Sequence, residues 1–143
     1  MNKKILSSLI LAVYLIFLFY LVFMSPYFGW QSFHNNFNFV PFKTIFNYWN
    51  YSRDREECLI NLLGNILVFL PLGILLPLTF KNCCKFIRIF LIVLFITLFI
   101  EIAQYATSVG IADIDDIILN LAGGIIGYLL FKALNKFIII YDK

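Results

Sequence analysis

Apolar residues are concentrated in four long runs that together make up most of the sequence. The first run, residues 5–24, has no charged side chain and is long enough to cross the roughly 30 Å hydrocarbon layer of a membrane as a helix. Three more runs of similar length follow, at residues 59–80, 86–106 and 117–140. The pattern predicts four membrane-spanning helices, with a longer outer loop, residues 25–57, between the first and the second.

The composition excludes an ordinary soluble domain. Hydrophobic residues make up 62% of the chain and charged residues 13%, whereas a typical soluble domain is about half apolar and about one quarter charged. A length of 143 residues allows one domain, residues 1–143, with most of its apolar surface facing lipid. We therefore expect an all-α fold, a four-helix transmembrane bundle. The net charge of +3 is small and no nucleic-acid-binding motif is present, so a nucleic-acid partner is not expected.

The basic residues are distributed unequally between the two sides of this predicted bundle. With a cytoplasmic N-terminus, the inner side receives eight of them: Lys3, Lys4, Lys81, Lys85, Arg88, Lys132, Lys136 and Lys143. The outer side receives three: Lys43, Arg53 and Arg55. Because cytoplasmic loops carry the excess of Lys and Arg, both termini are predicted to be cytoplasmic.

The outer loop contains a short amphipathic pattern. Phe42, Ile45, Phe46 and Trp49 fall at positions i, i+3, i+4 and i+7, and Pro41 stands where the first turn of a helix accepts proline. We interpret residues 42–50 as a helix lying at the outer membrane interface. The alternative is an irregular loop anchored by its aromatic side chains.

The cysteines predict free thiols. Cys83 and Cys84 are adjacent and so poorly placed to pair, while Cys58 lies about one membrane thickness away in this topology. No C-x-x-C spacing suggests a bound metal.

The topology brings polar residues from three spans to the outer side. The second span runs inward, which places Asn61 and Asn65 in its outer turns. The third runs outward, so Glu101 lies about 20 Å above Arg88, with Gln104 one turn higher. Asp113, Asp116 and Asn120 share one face of the fourth helix if it begins near residue 111 or 112. This convergence predicts a polar site in the outer leaflet.

Several of these residues also have a purely structural explanation. Asn61 and Asn65 can hydrogen-bond between helices, which contributes about 0.6 kcal/mol each. Asp113 can cap the fourth helix, and Asp115 and Asp116 are favoured by its dipole. Glu101 is explained by neither effect, because it lies inside a span; its partner could be Gln104, Asn65 or the start of the fourth helix, or it could be protonated.

Four motifs in order resemble the VanZ-like family of small bacterial membrane proteins, from about residue 38 to residue 128. They are Asn38 with Pro41 and Phe42; Asn65-x-x-x-Phe69-x-Pro71-x-Gly73; Glu101-x-x-Gln104; and Asp113-x-x-Asp116-x-x-x-Asn120-x-x-Gly123-Gly124. Many members carry an arginine just before the aspartates. Residues 108–112 contain no arginine. If that arginine binds an anion in the relatives, this chain lacks the contact or supplies it from Arg53 or Arg55. The resemblance implies a multi-pass protein of the bacterial cytoplasmic membrane. It also implies an association with resistance to the lipoglycopeptide teicoplanin, and it brings no established catalytic mechanism.

These observations favour a binding protein over an enzyme. The ligand would be a cell-envelope lipid, a lipid-linked precursor or a lipoglycopeptide, with no cofactor or resident metal. The predicted ligand-binding residues are Asn61, Asn65, Glu101, Gln104, Asp113, Asp116 and Asn120. The predicted structural residues are Pro71, Gly73, Gly123, Gly124 and Gly127.

Two alternatives remain open. One is an enzyme acting on a lipid-linked substrate, with Mg²⁺ held by Glu101, Asp113 and Asp116 or with one carboxylate as general acid. The other is a homo-oligomer, or an oligomeric transporter, joined through Gly123 and Gly127, which form a G-x-x-x-G close-packing motif.

Overall fold

The computed structural model describes residues 3–24, 37–51, 55–107 and 112–141. In chain order the elements are helix α1 (Lys3–Met24), strand β1 (Phe37–Asn38), helix α2 (Lys43–Tyr51), helix α3 (Arg55–Thr79), a 3-10 turn (Lys81–Cys84), helix α4 (Phe86–Thr107), strand β2 (Ala112–Asp113) and helix α5 (Ile114–Tyr141).

The predicted four-span helical bundle is confirmed. Within the described ranges, four helices are long and apolar enough to cross a membrane: Lys4–Met24, Leu59–Thr79, Phe86–Thr107 and Ile114–Lys136. Helix α3 begins ahead of the predicted residue 59, and α5 begins at Ile114, ahead of the predicted residue 117. The early start of α5 has a local cause, because the Asp113 side chain accepts the backbone N–H of Asp115 as an N-cap.

The outward faces of these helices are apolar. Ile16 and Phe95 are each 71% exposed and Ile102 is 66% exposed. Surfaces of this kind are rare on soluble proteins but are the normal contact surface between a spanning helix and lipid chains. The buried core is formed by α1, α3, α4 and α5, and Leu72, Ile89 and Val93 are fully buried in it.

Glycines bring α3 and α5 into backbone contact, and this is the most extensive helix pair in the bundle. A Cβ added to Gly73 would lie 2.0 Å from the Gly124 carbonyl oxygen, and one added to Gly127 would lie 2.0 Å from that of Leu70. Small residues allow this close approach, on which helix packing in lipid depends. Gly123 and Gly127 thus contact α3 of the same chain, so a dimer through them would require that contact to be exchanged. Association through these glycines stays a prediction.

Two tyrosine hydroxyls connect other parts of the bundle. Tyr14 of α1 donates to the carbonyl oxygen of Val68, at 2.8 Å, within one turn of Pro71 in α3. Tyr128 of α5 donates to the carbonyl oxygen of Cys84, at 2.6 Å, and so holds the turn between α3 and α4. Helix α3 continues through Pro71, as its packing against α1 and α5 allows.

The loop predictions are met in part. A helix is present at Lys43–Tyr51, where the amphipathic pattern predicts one; its position at the membrane interface, like the cytoplasmic location of both termini, stays a prediction. Residues 25–36 and 52–54 of the outer loop lie outside the described part of the chain. The sequence did not predict the parallel ladder of β1 and β2, in which Phe37 pairs with Ala112 and Asn38 with Asp113.

We expect Gly127→Ala to destabilise the bundle by about 1–3 kcal/mol, because the added methyl group would overlap the Leu70 carbonyl and push α3 and α5 apart. Thermal unfolding of the purified protein in detergent measures the change. Ala133→Leu is the matched control, since it adds a larger side chain at an exposed position of the same helix. Equal stability of Gly127→Ala and wild type would contradict the close contact.

Thiol labelling tests the predicted orientation. Cys84 is exposed, so in a Cys58→Ser, Cys83→Ser background we expect a membrane-impermeant maleimide to label it in inside-out vesicles and not in intact cells. In the same inside-out vesicles, Cys83 alone should label slowly, because burial both shields its thiol and raises its pKa, which lowers the thiolate fraction. Labelling of Cys84 in intact cells would contradict the prediction that both termini are cytoplasmic.

Candidate functional site

Polar side chains surround a small cavity at one end of the bundle. The cavity lies where α1 and α4 end and α3 and α5 begin: Glu101 is six residues before the end of α4 and Asn120 is six residues after the start of α5, each about 9 Å along its helix. Its volume is about 40 Å³, which is room for roughly two or three water molecules. The lining consists of Leu21, Val22, Asn65, Val68, Phe69, Ile100, Glu101, Gln104, Asp116 and Asn120.

The structure brings together five of the predicted ligand-binding residues in this lining: Asn65, Glu101, Gln104, Asp116 and Asn120. It places the other two elsewhere. Asn61 donates its amide N–H to the Tyr48 hydroxyl of α2, at 3.1 Å, and so joins α3 to α2. Asp113 belongs to a hydrogen-bond network beside the cavity. A ligand-binding role for the five lining residues stays a prediction at this point.

Glu101 is 5% exposed and is held by the start of the fourth span, one of the partners that the sequence left open. Its Oε2 accepts the backbone N–H of Asp113 at 3.1 Å. The opposite side of the cavity carries Asp116, whose Oδ1 accepts the amide N–H of Asn65 at 2.6 Å. Two carboxylates therefore border one small cavity, and none of the basic side chains that the structure describes is among its lining residues.

The two remaining lining amides donate away from the cavity. Gln104 donates from Nε2 to the carbonyl oxygen of Val22 at 3.2 Å. That carbonyl belongs to the last turn of α1, where backbone acceptors have no partner within the helix. Asn120 donates from Nδ2 to the Thr97 hydroxyl at 3.0 Å, while its Oδ1 has no hydrogen-bond partner although the residue is only 4% exposed. Buried polar atoms without partners are uncommon, so this oxygen requires an explanation.

Asp113 organises the loops above the cavity. Its carboxylate accepts hydrogen bonds from the Asn38 amide at 2.9 Å, from the Thr44 hydroxyl, and from the Asp115 N–H at 2.9 Å. It therefore caps α5, as one interpretation of the sequence proposed, and also ties α5 to β1 and to the first turn of α2. Together with the bond from its N–H to Glu101, these contacts join the loops to the cavity wall.

Asp115 has a larger role than the sequence indicated. The sequence explained it by the dipole of its own helix, but its side chain is fully buried and accepts the backbone N–H groups of Phe42, Thr44 and Ile45. It is thus the N-terminal cap of α2, supplied from α5. These bonds hold Phe42 at a φ of 65°, a left-handed conformation that is strained for a bulky residue. No local sequence signal links Asp115 to residues 42–45. The only indication in the sequence was that both segments carry motifs of the family resemblance.

The arrangement does not assemble the proposed three-carboxylate Mg²⁺ site. Asp113 is turned toward Asn38 and Thr44 and is not a lining residue of the cavity. Among the described residues, no group of three or more His, Cys, Asp or Glu side chains is placed to hold a metal ion. Of the two arginines considered as substitutes for the missing family arginine, Arg53 lies outside the described residues, and the side chain of Arg55 does too.

We expect Asp115→Ala to release α2 from the bundle, because three backbone N–H groups lose their acceptor. Leaving buried donors unpaired costs about 1–3 kcal/mol each. Hydrogen–deuterium exchange of the amides of residues 43–51 should accelerate strongly. Asn50→Ala is the control, since it removes only an exposed side-chain bond to the Phe46 carbonyl within α2. Unchanged exchange in Asp115→Ala would show that α2 is held by other contacts.

Comparison with known proteins agrees with this architecture. The family model described as VanZ/LLP1 matches residues 11–137. The sequence is 34% identical over 137 residues to Protein VanZ of Enterococcus faecium, an alignment that covers 93% of this chain and 78% of that protein. No solved structure matches the chain. With four candidate spans and a family match over most of its length, the chain is a multi-pass membrane protein that belongs to the VanZ/LLP1 family.

Proposed function

We propose that this protein binds a cell-envelope lipid or a lipoglycopeptide antibiotic at the cavity, from the outer leaflet of the bacterial cytoplasmic membrane, and so contributes to teicoplanin-type resistance. The observation that carries the proposal is the pairing of two carboxylates, Glu101 and Asp116, in one cavity between spanning helices. Ionisable groups inside a membrane bundle are costly and mark functional sites by default. The relation to Protein VanZ supports the link to resistance.

The size of the cavity limits what part of the ligand it can hold. A volume of about 40 Å³ accommodates a small polar group and not a whole antibiotic or a whole lipid headgroup. The rest of an amphiphile would lie along the outward apolar faces of the helices, where lipid chains already pack. The apolar part of the lining is supplied by Leu21, Val22, Val68, Phe69 and Ile100.

The exposed aromatic residues of α2 support an outer-leaflet site. Phe46 is 60% exposed and Trp49 is 81% exposed, and Asp115 fixes the start of α2 beside the polar end of the bundle. Aromatic side chains of this kind favour the headgroup region of a membrane. If the basic residues orient the chain with both termini inside, α2 and the cavity are on the outer side together.

An enzymatic role is the second candidate. Two carboxylates at one cavity can divide the roles of general acid and base when their surroundings differ, and here Glu101 accepts a backbone N–H while Asp116 accepts a side-chain amide. However, the described residues contribute no Ser, Cys, His or Lys to the lining that could serve as a nucleophile. We therefore favour binding.

Teicoplanin susceptibility of a sensitive bacterium that expresses the protein tests the proposal. We expect Asp116→Ala and Glu101→Gln to reduce the inhibitory concentration to that of cells carrying an empty vector. Glu101→Gln keeps an oxygen for the Asp113 N–H, so it removes the charge with the least disturbance of the fold. Asn135→Ala, at an exposed position of α5, is the control. Membrane levels and thermal stability are measured for every variant, and full resistance in both carboxylate variants at normal protein levels would overturn the proposal.

A further inference from the structure

Two carboxylates, Glu101 and Asp116, dominate the polar lining of the cavity, and no basic side chain of the described residues lines it. Each lining amide directs a donor to another group: Asn65 to Asp116, Gln104 to Val22 and Asn120 to Thr97. In addition, the Oδ1 of Asn120 has no hydrogen-bond partner. A ligand that completes this set has to supply N–H or O–H donors and carries positive charge.

The buried oxygen of Asn120 is independent evidence for a ligand. Asn120 is buried, and its Oδ1 accepts no hydrogen bond from the described residues. Leaving such an acceptor unpaired is unfavourable, and a donor supplied by a ligand in the cavity would offset that cost. Thr79 has the other unpaired buried oxygen among the described residues, but it is not part of this lining.

Resting on the proposed function, we infer that the cavity binds the primary ammonium group of a membrane amphiphile, as in a lipid with an ethanolamine-type headgroup. A primary ammonium offers three N–H donors from a single point charge, which suits a cavity bordered by two carboxylates. It is close to a water molecule in size, so the group and its neighbouring methylene fit a volume of about 40 Å³. A trimethylammonium group has no N–H donor and is bulkier.

The surroundings favour an amphiphile over a free ion. The apolar half of the lining, which includes Leu21, Val22, Val68 and Phe69, suits the carbon stem that carries an ammonium group. The cavity lies about 9 Å from the helix ends, a depth that a headgroup amine can reach from the interface. A divalent metal is favoured less, because the described residues offer no cluster of three metal-ligating side chains.

Native mass spectrometry of the purified protein with a series of phospholipids tests the inference. The series is phosphatidylethanolamine, its N-methyl and N,N-dimethyl derivatives and phosphatidylcholine, which differ only in the number of N–H donors and in bulk. We expect affinity to fall at each methylation and to be at least tenfold lower for phosphatidylcholine. Equal affinity along the series, or tighter binding of phosphatidylcholine, would overturn the inference.

Variants assign the preference to the cavity. Asn120→Leu, Asp116→Asn and Glu101→Gln should each reduce the difference in affinity between phosphatidylethanolamine and phosphatidylcholine. Asp116→Asn and Glu101→Gln keep the shape of the side chain, so they test the inference even if Asn120→Leu fails to fold. Asn61→Ala should keep the full preference, because that amide contacts Tyr48 and does not line the cavity. A preference that survives in all three cavity variants would place the ammonium site elsewhere and refute the assignment.

Competition distinguishes an amphiphile from a free amine. Lysophosphatidylethanolamine should displace the bound lipid at far lower concentration than ethanolamine or sodium chloride; equal displacement by ethanolamine or by sodium would refute the amphiphile. The result of the lipid-binding experiments can be distinguished from the result of the resistance test. If cavity variants lose resistance while the wild type shows no preference along the methylation series, the proposed function stands and the ammonium inference fails.

Discussion

The polar end of this bundle depends on three carboxylates at the start of α5, each of which has a different partner. Asp113 caps its own helix and binds Asn38 and Thr44, Asp115 caps α2, and Asp116 turns toward Asn65 and the cavity. Consecutive residues of a helix project about 100° apart, so a run of acidic residues can serve several neighbours at once. The position of α2, the closure of the loops and one wall of the cavity all follow from this short segment.

These carboxylates differ in how their burial is compensated. Asp115 is fully buried, and its three backbone N–H partners belong to the positive end of α2, where an anion is stabilised by the helix dipole. Asp113 is 8% exposed and binds three donors from three segments. Glu101 and Asp116 instead border a small cavity in which no cationic side chain of the described residues takes part. The hydrogen bonds of the fold therefore account for the burial of Asp113 and Asp115. The burial of Glu101 and Asp116 is less well compensated, so a bound ligand would stabilise these two carboxylates most.

Much of the fold could be predicted because lipid imposes a simple rule on sequence. A run of about 20 apolar residues must be a spanning helix, and alternating span directions then bring Asn65, Glu101 and Asp116 to the same end. The contacts between the loops and the start of α5 could not be predicted from this rule. Asp115 reaches the start of α2 across 70 to 73 residues of sequence, and a two-residue ladder leaves no periodic pattern, so neither contact has a local signature. The contact of Asn61 could not be predicted for a related reason: it shares a helix face with Asn65, but it donates to the hydroxyl of Tyr48 in α2.

The packing also indicates on which side the cavity can admit a ligand from the membrane. Helices α3 and α5 are in backbone contact through glycines, so the wall that carries Asn65 and Asp116 is rigid. Within the described residues, α1 packs mainly on α3 and makes little contact with α4, and the two are bridged by the bond from Gln104 to the Val22 carbonyl. Parting α1 from α4 breaks one neutral hydrogen bond, whereas parting α3 from α5 would separate the best-packed surfaces of the bundle. Gln104 is therefore both a lining residue of the cavity and the side chain that bridges α1 and α4, and its ligand-binding role stays a prediction.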